Sequence, residues 1–245
     1  VKTALTIFCF LLATVPSTLA SLVITYDAAG VQNTTVSGAN VYTFDNLANG
    51  LNTGVTWSGV GSFDSVWAQS ADQYGGAGGT GKYAVTGAEA SSASLLATTL
   101  TLNSPESYLG FWLSAGDSEN LVTLYQGTTE LAAVNVSTVL SAVGACSGSN
   151  PYCGNPNTGQ DSGEPFVYIN FYGTSGTTIS KVVFSNANYG TGFEFDNVAV
   201  ESAQVPTSGL PVTTLSSTPE PGTTLLFAGG LGVVAWLLRR RGVAA

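Results

Sequence analysis

Glu194 and Asp196 stand two residues apart in the run Phe193-Glu194-Phe195-Asp196-Asn197-Val198-Ala199-Val200. In an extended strand that spacing puts both carboxylates on one face. Carboxylates on one face are oxygen donors for a hard cation, and calcium takes about six to eight such oxygens. Asp27 and Asp45 each follow a short apolar run early in the chain. They would join Glu194 and Asp196 if the first and last strands meet, so these four are the expected ligands of a structural calcium ion. The competing expectation is that the same acids face solvent or cap turns. Asp117 with Glu119, or Asp161 with Glu164, would form a second cluster.

Paired carboxylates also cleave glycosides, when about 5–10 Å apart. With 15 acids in the chain some such pair arises by chance, and no motif singles one out. No catalytic residue is therefore assigned, and the expected function is non-catalytic. The alternative is a secreted carbohydrate-active enzyme of the glycoside hydrolase class. The absence of histidine excludes Ser-His-Asp and Cys-His catalysis and any histidine-bearing zinc site. Trp67 and Tyr74 lie beside polar loops and are the candidates for stacking on a sugar, whereas Trp112, flanked by apolar residues, reads as core. Residues 73–83 are glycine-rich but lack the Gly-Lys-Ser/Thr ending of a phosphate loop, so they read as a flexible surface loop and a weaker ligand-binding candidate.

Cys9 falls in the N-terminal leader. Cys146 and Cys153 remain, and an even pair in an exported chain reads as a disulfide. The loop it closes is short and rich in Gly, Asn and Pro, so the bond pins a surface loop rather than the whole fold. The spacing is not C-x-x-C and no cation is nearby to lower a thiol pKa, which argues against redox work.

The elements that must position these residues are strands. From residue 21 the composition is rich in Val, Thr, Tyr, Phe and Gly and poor in Lys and Glu. Strand patterns occur at 22–26, 40–44, 55–57, 61–67, 95–102, 108–113, 121–125, 130–136, 166–172, 179–184 and 191–200. Pro105 is expected to break the 95–102 strand, and 108–136 to form a meander of hairpins. Residues 108–113 are apolar on both faces, as in a central strand. Val167, Ile169 and Phe171 point one way, with Phe166, Tyr168, Asn170 and Tyr172 opposite. Residues 137–143 suit a single helical turn with Ser137 as N-cap. Residues 202–218 are Ser, Thr, Pro and Val and read as an extended, disordered linker.

Lys2, the apolar stretch 4–15 and the small residues before position 21 have the pattern of a secretory signal peptide over 1–20, which calls for the Sec machinery. Residues 21–218 hold two cations, Lys82 and Lys181, against fourteen acids, a formal charge of −12. That balance argues against nucleic acid and anionic membrane surfaces as partners. At the far end, Pro219-Glu220-Pro221 precedes an uncharged run at 225–238, which Arg239, Arg240 and Arg241 close. As a helix the run rises about 21 Å, against a bilayer core of about 30 Å. It is short for a permanent span and suits a transient anchor in the inner membrane, with its arginines in the cytoplasm.

Pro219-Glu220-Pro221, the apolar run and the arginine cluster together resemble the PEP-CTERM sorting signal of Gram-negative bacteria. The resemblance implies recognition by exosortase, a membrane transpeptidase-like enzyme, cleavage near Pro219-Glu220-Pro221, and delivery to the cell surface or extracellular matrix. The 193–200 run resembles the closing strand of jelly-roll, carbohydrate-binding-module-like domains, in which the alternating acid helps hold a structural calcium. Residues 107–117, 152–156 and 164–171 are similar to the middle of exosortase-dependent surface proteins that carry such a domain. The expected architecture is all-β: a signal peptide (1–20), a single jelly-roll-like β-sandwich domain (21–201), a linker (202–218), and a sorting signal (219–245) with one transmembrane helix over 223–238. The expected function is an exported surface or matrix protein, with extracellular polysaccharide as the candidate ligand.

Overall fold

The computed structural model describes residues 21–87 and 95–216. The expected signal peptide and sorting helix lie outside the described residues, among which no helix is long and apolar enough to cross a membrane. The chain forms β1 (Ser21–Tyr26), β2 (Asn40–Tyr42), β3 (Gly50–Trp57), β4 (Gly61–Ser70) and β5 (Lys82–Gly87). It continues with β6 (Ala97–Glu106), β7 (Tyr108–Ser114), β8 (Asn120–Gln126), β9 (Thr129–Asn135) and a short helix α1 (Ser137–Val143). It ends with β10 (Val167–Thr174), β11 (Ile179–Asn186), β12 (Gly192–Glu201) and β13 (Leu210–Ser216). The strands join one antiparallel sheet in the order β13-β1-β10-β7-β12-β5-β4-β6-β11-β8-β9, with β2 on β12 and β3 on β4.

This sheet curls on itself. β12 and β11 are four steps apart along the sheet, which in a flat sheet is about 19 Å. Yet Phe184 of β11 stacks on Phe195 of β12 with ring centroids 4.3 Å apart. The concave face holds the core. Val167, Ile169 and Phe171 of β10 point into it, with Leu109, Phe111 and Leu113 of β7. The opposite face of these strands is buried too, beneath loops. Trp112, Phe166 and Tyr168 pack there with Val31 and Ala77. Tyr108 and Tyr172 pack there with Val36 and Val205. The Tyr108 hydroxyl donates to Asn170 Oδ1 (2.8 Å) and lies 2.7 Å from Thr34 Oγ1. Strands that are apolar on both sides, as β7 and β10 are, belong at the centre of a covered sheet.

Four sequence expectations need correction. The 108–136 meander is not continuous: β8 and β9 form a hairpin, but β7 pairs with β10 and β12 instead of β8. Both edges of β7 are taken by strands equally buried, so the chain must cross to the other end of the sheet. Pro105 does not end its strand. β6 runs through it to Glu106, where a bulge in the β11 pairing removes the need for an N–H at that position. Ser137 is not the cap of α1; the Asn135 side chain accepts the Ser137 N–H at 2.8 Å.

The linker is the fourth. Residues 203–208 lie against the sheet: Gln204 Nε2 donates to Gly173 O (2.9 Å), Thr25 Oγ1 donates to Ser208 O (2.6 Å), and Ser107 Oγ donates to Ala203 O. Residues 210–216 then form β13 on the free edge of β1. An unpaired β1 would leave a row of backbone donors and acceptors open, and Val212, Thr213 and Thr214 are good strand formers.

Candidate functional site

Three loops converge at the end of the sheet where β12 begins. The first is the glycine-rich stretch before β5, and it is pinned. Asp72 Oδ1 accepts the N–H of Tyr74 (2.8 Å) and the Tyr83 hydroxyl (3.1 Å). Asn155 Nδ2 donates to the carbonyls of Asp72 (3.1 Å) and Gln73 (3.2 Å). Gln32 Oε1 accepts the Gly78 N–H at 2.6 Å. Gly75 rests on the Tyr83 ring so closely that an added Cβ would lie 2.6 Å from it. The expectation of a flexible loop is therefore replaced by a tightly held one, with glycine supplying close approach rather than mobility.

Beneath this loop lies Asp196, only 2 % exposed. Its carboxylate accepts the N–H groups of Ala77 (2.8 Å) and Asn197 (2.7 Å). A bulge follows, with Asn197 at φ 47°, so Val198 and Val200 return to the core side. Burial pushes the Asp196 carboxyl up to about 8; the two N–H bonds lower it and the charge of Asp45 raises it.

The second loop holds the disulfide between Cys146 and Cys153. Cys153 bridges Pro165, and Pro165 O accepts the Gly116 N–H at 3.1 Å, which ties this loop to the β7–β8 turn. Closing so short a loop contributes about 2–3 kcal/mol. The third loop runs from β11 into β12, where Asn120 Nδ2 donates to Gly192 O at 2.9 Å.

Between the three loops lies an open cleft of about 360 Å³, lined by Tyr74, Asp117, Asp161, Glu164, Thr191 and Glu194. Burial raises the carboxyls of Asp117, Asp161 and Glu164. The charge of Asp72 adds to this at Asp161, and those of Asp161 and Asp117 add to it at Glu164. Two lining residues, Ala115 (φ 47°) and Asp161 (φ 56°), hold the left-handed backbone that non-glycine residues rarely adopt. Glu194 folds back over Gly192, where an added Cβ would collide with Glu194 Oε1. The cleft thus offers acceptor oxygens, protonatable carboxyls and one aromatic ring, Tyr74, 38 % exposed.

The four expected calcium ligands are not brought together as a set, although Asp45 lies near enough to Asp196 for its charge to act there. β1 and β12 are separated by β10 and β7, about 14 Å at ordinary strand spacing, so Asp27 at the end of β1 is remote from Glu194 and Asp196. Asp27 is buried, and burial raises its carboxyl while the Asn170 side chain lowers it; neither Asp27 Oδ2 nor Asn170 Nδ2 completes a hydrogen bond of normal geometry. Asp45 is exposed and accepts the Lys82 N–H at 2.7 Å. Among the described residues no three His, Cys, Asp or Glu side chains group closely enough to hold a metal ion. Glu194 and Asp196 do share the outer face, but Glu194 lines the cleft and Asp196 lies under the loop. Tyr74 stands at the cleft. Trp67 is half-buried on β4, on the same outer face as Glu194, since both are register partners of Val85. Of the two secondary acid pairs, Asp161, Glu164 and Asp117 line the same cleft, and Glu119 is not among its lining residues.

β13 ends at Ser216, and the next residues carry the decisive match. Residues 217–241 match the PEP-CTERM protein-sorting motif family. The chain carries a PEP-CTERM sorting motif. The PEP-CTERM motif implies an exported, exosortase-processed surface protein, and it spans Pro219-Glu220-Pro221 and the whole arginine cluster. It gives the address of the chain and leaves the β domain to be read from its geometry. No curated protein and no solved structure matches the chain.

Proposed function

We propose that this is a cell-surface or extracellular-matrix protein of a Gram-negative bacterium, whose jelly-roll-like β-sandwich binds extracellular polysaccharide at the acidic cleft without cleaving it. The Sec machinery delivers the precursor, residues 223–238 hold it in the inner membrane, and exosortase releases it. The observation that carries the ligand reading is the cleft itself. Sugar rings present C–H faces that suit an aromatic side chain and hydroxyls that donate to carboxylates. Tyr74 supplies the ring, and Asp117, Asp161, Glu164 and Glu194 supply the oxygens. The two left-handed residues in the wall, Ala115 and Asp161, support a site held in a fixed shape.

One observation favours a second reading, a glycoside hydrolase. The same cleft gathers several carboxyls, three of them raised by burial, and a raised carboxyl is what a general acid requires. Binding and turnover separate the two. Tyr74→Ala should weaken binding to a responsive polysaccharide by roughly 2–13-fold, the loss of about 0.5–1.5 kcal/mol of stacking. The thermal melt should not move, because Tyr74 is exposed. New reducing ends released by the wild type, and lost in Glu164→Gln, would replace the binding reading by the enzymatic one. Equal binding by Tyr74→Ala would remove the cleft from the account.

A further inference from the structure

The last strand and the sorting motif are almost contiguous. Only Ser217 and Thr218 separate the end of β13 from Pro219. A fully extended chain reaches at most about 3.3–3.6 Å per residue, so Pro219 stands no more than about 11 Å from Ser216. A folded body of this length has a radius of gyration of about 16 Å. While β13 is paired, that body sits directly on the segment a membrane enzyme must enclose.

We propose that β13 is a detachable tether: it leaves β1 as a unit, hinged at Gly209, so that exosortase can take the Pro-Glu-Pro segment in extended form. Three observations place the hinge. Upstream, residues 203–208 are pinned to the sheet by side-chain hydrogen bonds from Ser107, Gln204 and Thr25, and by the Tyr172–Ser208 hydroxyl pair at 2.9 Å. Downstream, β13 opens with two lightly held residues, since Leu210 is 49 % exposed and Pro211 is exposed and lacks an N–H, before Val212 packs half-buried on the core. The β1–β13 register also slips between Ile24 and Thr25. Between the two regimes stands Gly209 at φ 85°, packed too closely against Thr25 Oγ1 and Tyr26 O to admit a Cβ.

Removal of β13 leaves β1 paired with β10 along its other edge, so the domain keeps its sheet. Release lengthens the free chain before Pro219 from two residues to nine, 210–218, and its reach to about 35 Å. The enzyme then meets a strand with both edges open, the form in which extended peptides are recognised.

The test uses the full precursor in a host with exosortase. Val23 and Thr214 are register partners, so V23C with T214C staples β13 to β1. Thiol trapping isolates the stapled fraction. That fraction should remain unprocessed, each single variant should be processed normally, and reduction of isolated membranes should restore processing. A Gly/Ser insert of about 12 residues between Ser216 and Ser217, with a flexible reach of about 17–21 Å, should rescue the stapled precursor. In the otherwise unaltered chain the insert should speed processing several-fold, a result that does not depend on the staple forming. Processing of the stapled fraction at the wild-type rate, or an insert without effect in the unaltered chain, would overturn the proposal.

Discussion

Phe195→Ala is expected to destabilise the domain by about 3–5 kcal/mol, the usual cost of emptying a buried aromatic site. Phe195 is fully buried where the curled sheet meets itself. It stacks on Phe184 (4.3 Å) and touches Phe193 (5.4 Å), Phe44 (5.7 Å) and Phe111 (6.5 Å). These rings come from β12, β11, the segment after β2, and β7, so one truncation loosens both ends of the fold. For a domain of this size the loss corresponds to a fall of roughly 6–20 °C in melting temperature. Phe195→Leu keeps most of the volume and should cost far less. A melt of Phe195→Ala within a degree or two of the wild type would mean that the sheet does not close over this residue.

The second large effect concerns pH. Asp196 titrates near 3.8 when the chain is unfolded and at about 8 when folded, because burial penalises its charge. The folded chain therefore binds the proton more tightly. The stability this confers is fully present below the unfolded value and is lost as pH rises through about 8. Asp27, Glu106, Asp117, Asp161 and Glu164 are raised by burial as well and act in the same direction. The domain should melt higher at pH 5 than at pH 8.5, with Asp196 alone accounting for on the order of 2–5 kcal/mol. Asp196→Asn keeps an acceptor for the Ala77 N–H and removes the ionisation. It should flatten the pH dependence and leave the variant more stable than the wild type at pH 8.5. An unchanged slope in Asp196→Asn would show that the charge is not confined beneath the glycine-rich loop.

The parts of this molecule legible in its sequence are those written in local periodicity. The two faces of β10 follow from strict alternation, and the central place of β7 from its lack of a polar face. The Cys146–Cys153 pairing follows from there being two cysteines after residue 20. What local pattern cannot hold is adjacency created by curling. Asp117, Asp161, Glu164 and Glu194 come from the β7–β8 turn, the disulfide loop and the start of β12, far apart in sequence, and their lining of one cleft depends on the Gly116–Pro165 tie. Proximity of β1 to β12 was a natural expectation for a chain whose ends often meet, but β10 and β7 intervene. β13 was hidden by composition: a Ser, Thr, Pro and Val stretch resembles a linker until β1 offers it an edge. The glycine-rich loop misled for a related reason, since glycine serves close packing on Tyr83 as readily as it serves freedom.

The C-terminal motif commits this domain to exosortase processing and surface delivery. The direct measurement is the fate of the precursor when Pro219, Glu220 and Pro221 are all replaced by alanine, followed by intact mass and by membrane and surface fractionation. The wild type should lose its C-terminal segment and leave the membrane, while the variant should accumulate at full length with the membrane and with its β domain folded. Processing and surface delivery of the variant at the wild-type level would contradict the account.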